Sequence, residues 1–156
     1  MSRPLLYSIL VLFASQLAAY CTTFDQQWNA AGQGRSKASC WDGRWASGTR
    51  KETNGSAHGG RLRAVIEPQA DRSLMAHFHA NWLIFSGNYD MTFQPAPGNS
   101  RRGHIQEYKG THDLPKIFGG TYHYTARVVG DHLTASYTCN YDRGTFDLHR
   151  LPPAKK

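Results

Sequence analysis

The sequence predicts an all-β protein whose main domain is an antiparallel up-and-down barrel of about eight strands, preceded by a signal peptide and a short linker. From Trp41 onward, apolar and polar residues alternate with a period of two, which is typical of half-buried strands. The alternating segments are short and evenly spaced, and Gly, Pro, Asn and Ser mark the breaks between them. No segment carries the inward charges or mid-strand proline that protect a sheet edge, which favours a closed barrel over an open sheet or a sandwich.

Residues 1–19 have the layout of a secretory signal peptide. Arg3 is followed by an uncharged apolar run from Leu5 to Ala19 that ends in small residues. A spanning helix needs roughly 20 apolar residues, so we expect cleavage, with retention as an N-terminal anchor as the alternative. Lipidation at Cys21 is disfavoured because the preceding Tyr20 is large. The predicted location is outside the cytoplasm, in the periplasm or cell envelope or secreted.

Residues 20–39 are predicted to be a flexible arm, because the stretch from Asp25 to Ser39 is small, polar and without a period. Only Trp28 suggests that this arm docks anywhere. No segment after the signal peptide carries a convincing 3.6-residue apolar stripe. The barrel is expected over residues 40–151, and residues 152–156 form a short basic tail.

Eight strands are predicted, and the turn between the sixth and seventh also predicts their register. Gly130-Asp131 is a two-residue hairpin loop of a favoured kind. It places Tyr124 opposite Tyr137, and both residues then face the barrel interior. The predicted strands lie near 41–48, 60–67, 72–81, 84–94, 103–110, 117–129, 132–141 and 144–150.

The inward-facing residues include many aromatic side chains. An eight-stranded barrel is just wide enough to be filled by side chains or to hold one small ligand. Buried tyrosine hydroxyls need hydrogen-bond partners, which a ligand can supply. A filled core and a ligand cavity therefore both remain open at this point. The candidate ligand-binding residues are Phe78, Tyr89, Phe93, Tyr122, Tyr124 and Tyr137.

Gly43-x-Trp45 on the first strand, together with Arg150 at the end of the last, resembles the calycin signature shared by lipocalins and avidins. The resemblance implies that a first-strand tryptophan lies across one end of the barrel and that the arginine packs over it. In an eight-stranded meander, Trp41, Trp45 and Arg150 are expected at that same end. The lipocalin motif after the sixth strand and the avidin ligand contacts are not recognisable, so neither retinoid nor biotin binding is implied.

A second resemblance spans roughly residues 40–150. The strings HFHANW, FSGNYDMTF, DLPKIFGGTYHYTA and YDRGTFDLHR are similar to a group of short exported bacterial proteins of uncharacterised function. This resemblance implies export and the same β fold. It implies no particular activity.

Three histidines at strand positions that face away from the barrel interior are weak candidates for metal ligands. His77 and His79 share one strand face, and a simple hairpin register places them opposite Asp90 and Asn88. His123 has the same outward parity on a later strand. An H-x-H pair on a strand can bind a metal when a third ligand arrives, but solvated outer-face histidines are more common. No metal site is therefore predicted.

The three cysteines are considered as disulfide candidates, because export permits disulfide formation. Cys40 opens the first strand and Cys139 closes the seventh, so the two lie at opposite ends, about 20 Å or more apart at roughly 3.3 Å per residue. A disulfide needs Cα atoms within about 7 Å. We therefore expect a Cys21–Cys40 disulfide that ties the arm to the barrel, with Cys139 as a buried free thiol.

The sequence gives no support for catalysis, a cofactor or nucleic-acid binding. It contains no nucleophile elbow and no recognisable acid–base pair, and no nucleic-acid-binding motif. The net charge of +7 is compatible with an anionic envelope surface as partner, or simply with solubility. We expect a non-enzymatic protein that binds a small apolar or aromatic ligand. The alternatives are an envelope interaction or structural protein with a filled barrel and, more distantly, a histidine-based metal protein. No spanning segment is expected unless the N-terminal segment is retained.

Overall fold

The computed structural model contains a closed barrel of eight antiparallel strands joined in chain order, with the last strand paired to the first. It describes residues 23–48, 58–82, 85–97, 104–114, 116, 120–140 and 142–154. The strands are β1 Ser39–Ser47, β2 His58–Pro68, β3 Leu74–Trp82, β4 Phe85–Pro95, β5 Ile105–Asp113, β6 Thr121–Val129, β7 His132–Thr138 and β8 Arg143–Arg150. The predicted fold class is confirmed. The predicted signal peptide lies outside the described residues.

The register of two hairpins agrees with the sequence prediction. Tyr124 pairs with Tyr137 in the β6–β7 ladder, and Gly130 in the turn has a φ of 59°. This left-handed conformation costs glycine little, because it has no Cβ. In the β3–β4 ladder, His77 lies opposite Asp90, as predicted. These registers could be predicted because a shift of one residue would turn the apolar face of a strand outward.

The interior of the barrel is filled with side chains at mid-height. Five large side chains from β2, β3, β4, β7 and β8 are fully shielded from solvent there. They are Leu62, Phe78, Phe93, Leu133 and Leu148. The middle of the barrel is thus a packed core.

The ladder between β4 and β5 is the weakest in the barrel. The two strands pair only at Gln94–Lys109 and Pro95–Tyr108, whereas β5 pairs with β6 along its whole length. Beyond these pairs β4 and β5 separate, and a cleft opens between them on the side of the barrel.

Residues 23–32 form a helix, α1, that packs on the outside of the barrel. The prediction of an arm without regular structure is therefore wrong for this stretch. Phe24 and Ala31 are buried against Cys40 and Val65 of the barrel, and Trp28 is partly buried beside them. These three helix residues share one face. An apolar face of only three residues among small and polar neighbours is difficult to recognise in the sequence. Among the described residues, no helix is long and apolar enough to span a membrane.

The arginine at the end of β8 covers Trp41, and Trp45 lies further along the barrel. Trp41 pairs with Arg150, and the guanidinium carbon lies 5.0 Å from the centroid of the Trp41 ring. Trp45 pairs with Phe146, four residues or about 13 Å further along the strand. The expectation that Trp45 shares the arginine end is therefore wrong. The Arg150 side chain lies on the rim, with 45% of its surface exposed, because β8 ends at this residue.

Both cysteines in the described part of the chain are free thiols at opposite ends of the barrel. The Cys40 carbonyl accepts a hydrogen bond from the backbone of Leu151, whereas the Cys139 amide donates to Asp142 in the turn before β8. Their predicted separation is confirmed. Cys139 is half-buried, less than expected, because β7 already ends at Thr138. The proposed partner of Cys40, Cys21, lies outside the described residues, so that disulfide stays a prediction.

Candidate functional site

A pocket of about 400 Å³ lies at the end of the barrel away from Arg150. Its volume falls in the range of about 300–1,000 Å³ that is typical of small-molecule sites. Below it lies the packed middle of the barrel, so the pocket is a cup rather than a channel. The residues lining it are Trp45, Ser47, His58, Ala80, Asn88, Tyr89, His112, Leu114, Tyr122, Tyr124, Tyr137, Asp142 and Phe146.

Four tyrosines from three strands form most of the aromatic wall. Tyr122 and Tyr124 lie two residues apart on β6 and therefore point to the same side, and Tyr137 of β7 pairs with Tyr124. The ring centroids of these three tyrosines lie 5.7 to 6.3 Å apart. Tyr89 of β4 completes the set from the other side of the cup.

The two predicted phenylalanines, Phe78 and Phe93, pack beneath the tyrosines at the base of the pocket. Phe78 is fully buried and stacks on Tyr89 with ring centroids 5.0 Å apart. Phe93, also fully buried, meets the Tyr124 ring edge-on at 6.4 Å. Four of the six candidate residues thus line the pocket, and these two hold the tyrosine rings in place from below.

Two of the tyrosine hydroxyls have no hydrogen-bond partner among the described residues. The Tyr137 hydroxyl donates to Oδ2 of Asp142 at 3.0 Å. The hydroxyls of Tyr89 and Tyr124 form no such bond to the described part of the chain, although Tyr124 is only 7% exposed. Both hydroxyls are therefore available to a ligand or to water in the pocket.

The environment keeps the pocket tyrosines protonated. Burial raises the pKa of Tyr89 and Tyr124, and the neighbouring tyrosines add to the increase. The pKa of Tyr137 is raised by burial and by the adjacent Asp142 carboxylate. At neutral pH these hydroxyls can donate and accept hydrogen bonds, but they are poor bases and poor nucleophiles.

Trp45 and His112 are among the pocket residues that sequence reasoning did not assign to the ligand site. The Trp45 indole lies in the wall, with Nε1 donating to the Asn81 carbonyl at 3.1 Å. The His112 ring lies 5.8 Å from that of Tyr89. His112 was missed because the predicted fifth strand stopped at residue 110. The alternating pattern does extend past residue 110, since Tyr108, Gly110 and His112 lie on one strand face.

A second hollow, of about 460 Å³, lies at the opposite end of the barrel. Its polar groups are already engaged. The Tyr108 hydroxyl donates to Gln106 at 2.6 Å. Arg150 lies over Trp41 and 3.5 Å from an Asp131 carboxylate oxygen. The end that carries the tyrosines is therefore the better candidate for a ligand.

The three histidines that were weak metal candidates do not meet in the structure. Nδ1 of His77 lies 2.7 Å from Asp90, and Nδ1 of His79 lies 2.6 Å from Asn88. His123 is exposed on β6. Within the described residues, a different histidine cluster brings three metal-ligating atoms together, and it is described below.

The fold defines the class of protein as a closed, all-antiparallel barrel of eight strands, consistent with a calycin-like fold. The chain matches no protein-family model, and a search of curated proteins also finds no match. Its function must therefore be inferred from the geometry of the pocket.

Proposed function

We propose that this protein is an exported, non-enzymatic barrel that binds a small, partly apolar aromatic molecule in the tyrosine pocket. One observation carries the proposal. The hydroxyls of Tyr89 and Tyr124 have no partner in the described part of the chain, and they lie in an aromatic cup of about 400 Å³. Such a cup combines an apolar surface with a few polar groups that orient a ligand.

The lining of the pocket indicates which ligands fit. Flat rings are favoured, because stacking on tyrosine adds about 0.5–1.5 kcal/mol beyond the burial of apolar area. No lysine or arginine is among the described residues lining the pocket, whereas Asp142 is. An anionic ligand is therefore disfavoured, and a neutral ligand that donates a hydrogen bond is preferred.

Membership of the calycin-like barrels is part of the proposal. It is supported by the closed barrel and by the contact of Arg150 with Trp41 at 5.0 Å. Export is supported by the signal-peptide layout of residues 1–19 and by the resemblance to short exported bacterial proteins.

The second candidate is an envelope interaction or structural protein that uses the barrel as a solid scaffold. The packed middle of the barrel favours this alternative. It predicts no saturable small-molecule binding. It also predicts binding to anionic surfaces that weakens as salt is added, because salt screens charges over about 10 Å at 0.1 M ionic strength.

A matched pair of substitutions tests the proposed site. His112 and Val128 are both half-buried and line the pockets at opposite ends of the barrel. His112→Trp fills the tyrosine pocket, and Val128→Trp fills the other hollow. The probe is N-phenyl-1-naphthylamine, a neutral aromatic fluorophore, titrated into purified protein and followed by its own emission. Circular dichroism confirms that both variants are folded.

We expect saturable binding to the unmodified protein, affinity at least about tenfold weaker in His112→Trp, and little change in Val128→Trp. The reverse pattern would place the ligand at the Arg150 end. If the unmodified protein does not bind the probe saturably, the scaffold alternative is favoured.

A further inference from the structure

The outer face of the β7–β8 hairpin carries a histidine–aspartate cluster that the tyrosine pocket does not use. His132 opens β7 and lies directly opposite His149 of β8. Asp147 is two residues before His149, so its side chain leaves the strand on the same face. Three potential metal ligands therefore share one patch outside the barrel.

The side chains of these three residues converge. Nε2 of His132 lies 2.8 Å from Oδ1 of Asp147, and Nε2 of His149 lies 3.6 Å from the same oxygen. One ligating atom from each residue can be chosen so that all lie within 4.8 Å of one another. The two imidazole rings are stacked, with centroids 4.4 Å apart and planes only 3° apart.

The distances to the Asp147 oxygen are close to those that a zinc ion requires, although the two parallel imidazole rings must rotate towards each other before both nitrogens face one ion. Zinc binds histidine nitrogen and carboxylate oxygen at about 2.0–2.2 Å, so tetrahedral ligands lie about 3.3 Å apart. The two distances to the Asp147 oxygen lie on either side of that value. We propose that His132, Asp147 and His149 form a binding site for a divalent transition metal, with Zn²⁺ as the first candidate.

The donor set restricts the metal. Two imidazoles and one carboxylate suit zinc, copper and nickel, whereas calcium and magnesium prefer ligand sets made only of oxygen. The side chains of Asp147 and His149 are 63% and 66% exposed, so water can occupy the remaining coordination position. Three protein ligands and one water are a common arrangement at open zinc sites.

The backbone at the site is well fixed. The Arg150 amide donates to the Asp131 carbonyl at 2.8 Å, which joins the end of β8 to the turn before His132. On its other side, β8 is paired with β1 along the edge that closes the barrel. The ligands are therefore on paired strands rather than on a loop, which reduces the ordering needed for binding.

Two residues of β1 adjoin the patch and determine its charge. Arg44 lies across the ladder from Asp147, and Asp42 lies across from His149. Asp42 is engaged by Arg61 through two hydrogen bonds of 2.7 and 2.9 Å. Asp147 is thus the acidic group on this patch that is directed at both histidines.

Zinc binding to the full-length protein, purified without a histidine tag, tests the proposal. Isothermal titration calorimetry with zinc chloride in a non-chelating buffer at neutral pH gives the stoichiometry and the affinity. Asp147→Ala and His149→Gln each remove one ligand. Both positions are exposed, so the barrel stays folded in both variants. His77→Gln is the matched control, because His77 belongs to the other outer-face histidine–aspartate pair, at 2.7 Å from Asp90.

We expect one zinc ion per chain, affinity at least tenfold weaker in each ligand variant, and no change in the control. Zinc should also raise the melting temperature of the unmodified protein but not that of His149→Gln, because a ligand that binds only the folded state stabilises it. The proposal is overturned if the unmodified protein takes up no zinc. It is also overturned if uptake survives in both ligand variants or is lost in the control.

Discussion

At the scale of single residues, Gly43 determines how closely the first and last strands approach. A Cβ added at this position would overlap with the carbonyl oxygen of Asp147 across the β1–β8 ladder. A backbone atom cannot move aside without disturbing the pairing that closes the barrel. The glycine of the G-x-W pattern is therefore required for closure, separately from the tryptophan beside it.

Gly43→Ala is expected to lower the free energy of unfolding by about 1–3 kcal/mol, as other overpacked sites do. Urea unfolding followed by circular dichroism measures the change. Gly32→Ala is the control, because a Cβ there makes only ordinary contact with Cys40 at 3.7 Å. That variant should keep or slightly raise stability, since alanine favours a helix over glycine. Equal destabilisation by both substitutions would contradict this account of Gly43.

The pocket tyrosines predict a loss of stability in alkaline solution. The pKa values of Tyr89, Tyr122, Tyr124 and Tyr137 are raised in the folded state, mainly by burial. Above pH 10, the ordinary value, the unfolded chain releases these protons while the folded chain keeps them. The unfolded state then binds fewer protons, so stability is complete below about pH 10 and falls as the pH rises further.

Each tyrosine that ionises only in the unfolded chain lowers stability by at most about 1.4 kcal/mol per pH unit. Replacing Tyr122, Tyr124 and Tyr137 together by phenylalanine should make the dependence of unfolding free energy on pH clearly flatter between pH 9.5 and about 11.5. Urea unfolding at each pH gives the slopes. Identical slopes in the variant and the unmodified protein would show that these hydroxyls are not shielded from water.

At the scale of elements, α1 is attached by a small apolar cluster. Phe24 is 4% exposed and its ring lies 5.8 Å from that of Trp28. The Arg63 guanidinium lies 5.3 Å from both rings and covers them from the barrel side. This contact also shields His79, whose ring lies 5.3 Å from Phe24.

Phe24→Ala should release α1 and cost up to about 3–5 kcal/mol, the usual range for a buried phenylalanine. Hydrogen–deuterium exchange is the sharper measurement. Amides of residues 23–32 should lose protection while those of β6 and β7 keep theirs, because the barrel has its own separate core. Asp25→Ala, at an exposed position of the same helix, is the control and should change neither region.

The elements also show where sequence reasoning was limited. Strand positions followed from the period of two, because each strand has one face on a core. The apolar stripe of α1 has only three members, and its partners Cys40 and Val65 face outward from the barrel, so no pattern within the helix itself revealed it. The predicted fifth strand ended too early, at residue 110, although the polar His112 continues the inward face of Tyr108 and Gly110.

At the scale of the whole molecule, closure and strand order were predictable, but the position of free space was not. Parity shows which residues point inward, yet it cannot show that Phe78 and Phe93 fill the middle while Tyr89 and Tyr124 border a cavity. That distinction depends on height along the barrel and on the separation of β4 and β5. Trp45 was placed at the wrong end of the barrel for the same reason, because the height of a residue along the barrel depends on the strand register.

The central claim is that the tyrosine pocket holds a small molecule. Native mass spectrometry of the protein, purified without detergent from the cells that produce it, tests this claim most directly. We expect an additional mass of roughly a few hundred daltons, as suits a pocket of this size, and its loss in His112→Trp but not in Val128→Trp. A bare protein mass, with no adduct in any preparation, would contradict the claim and favour a solid scaffold.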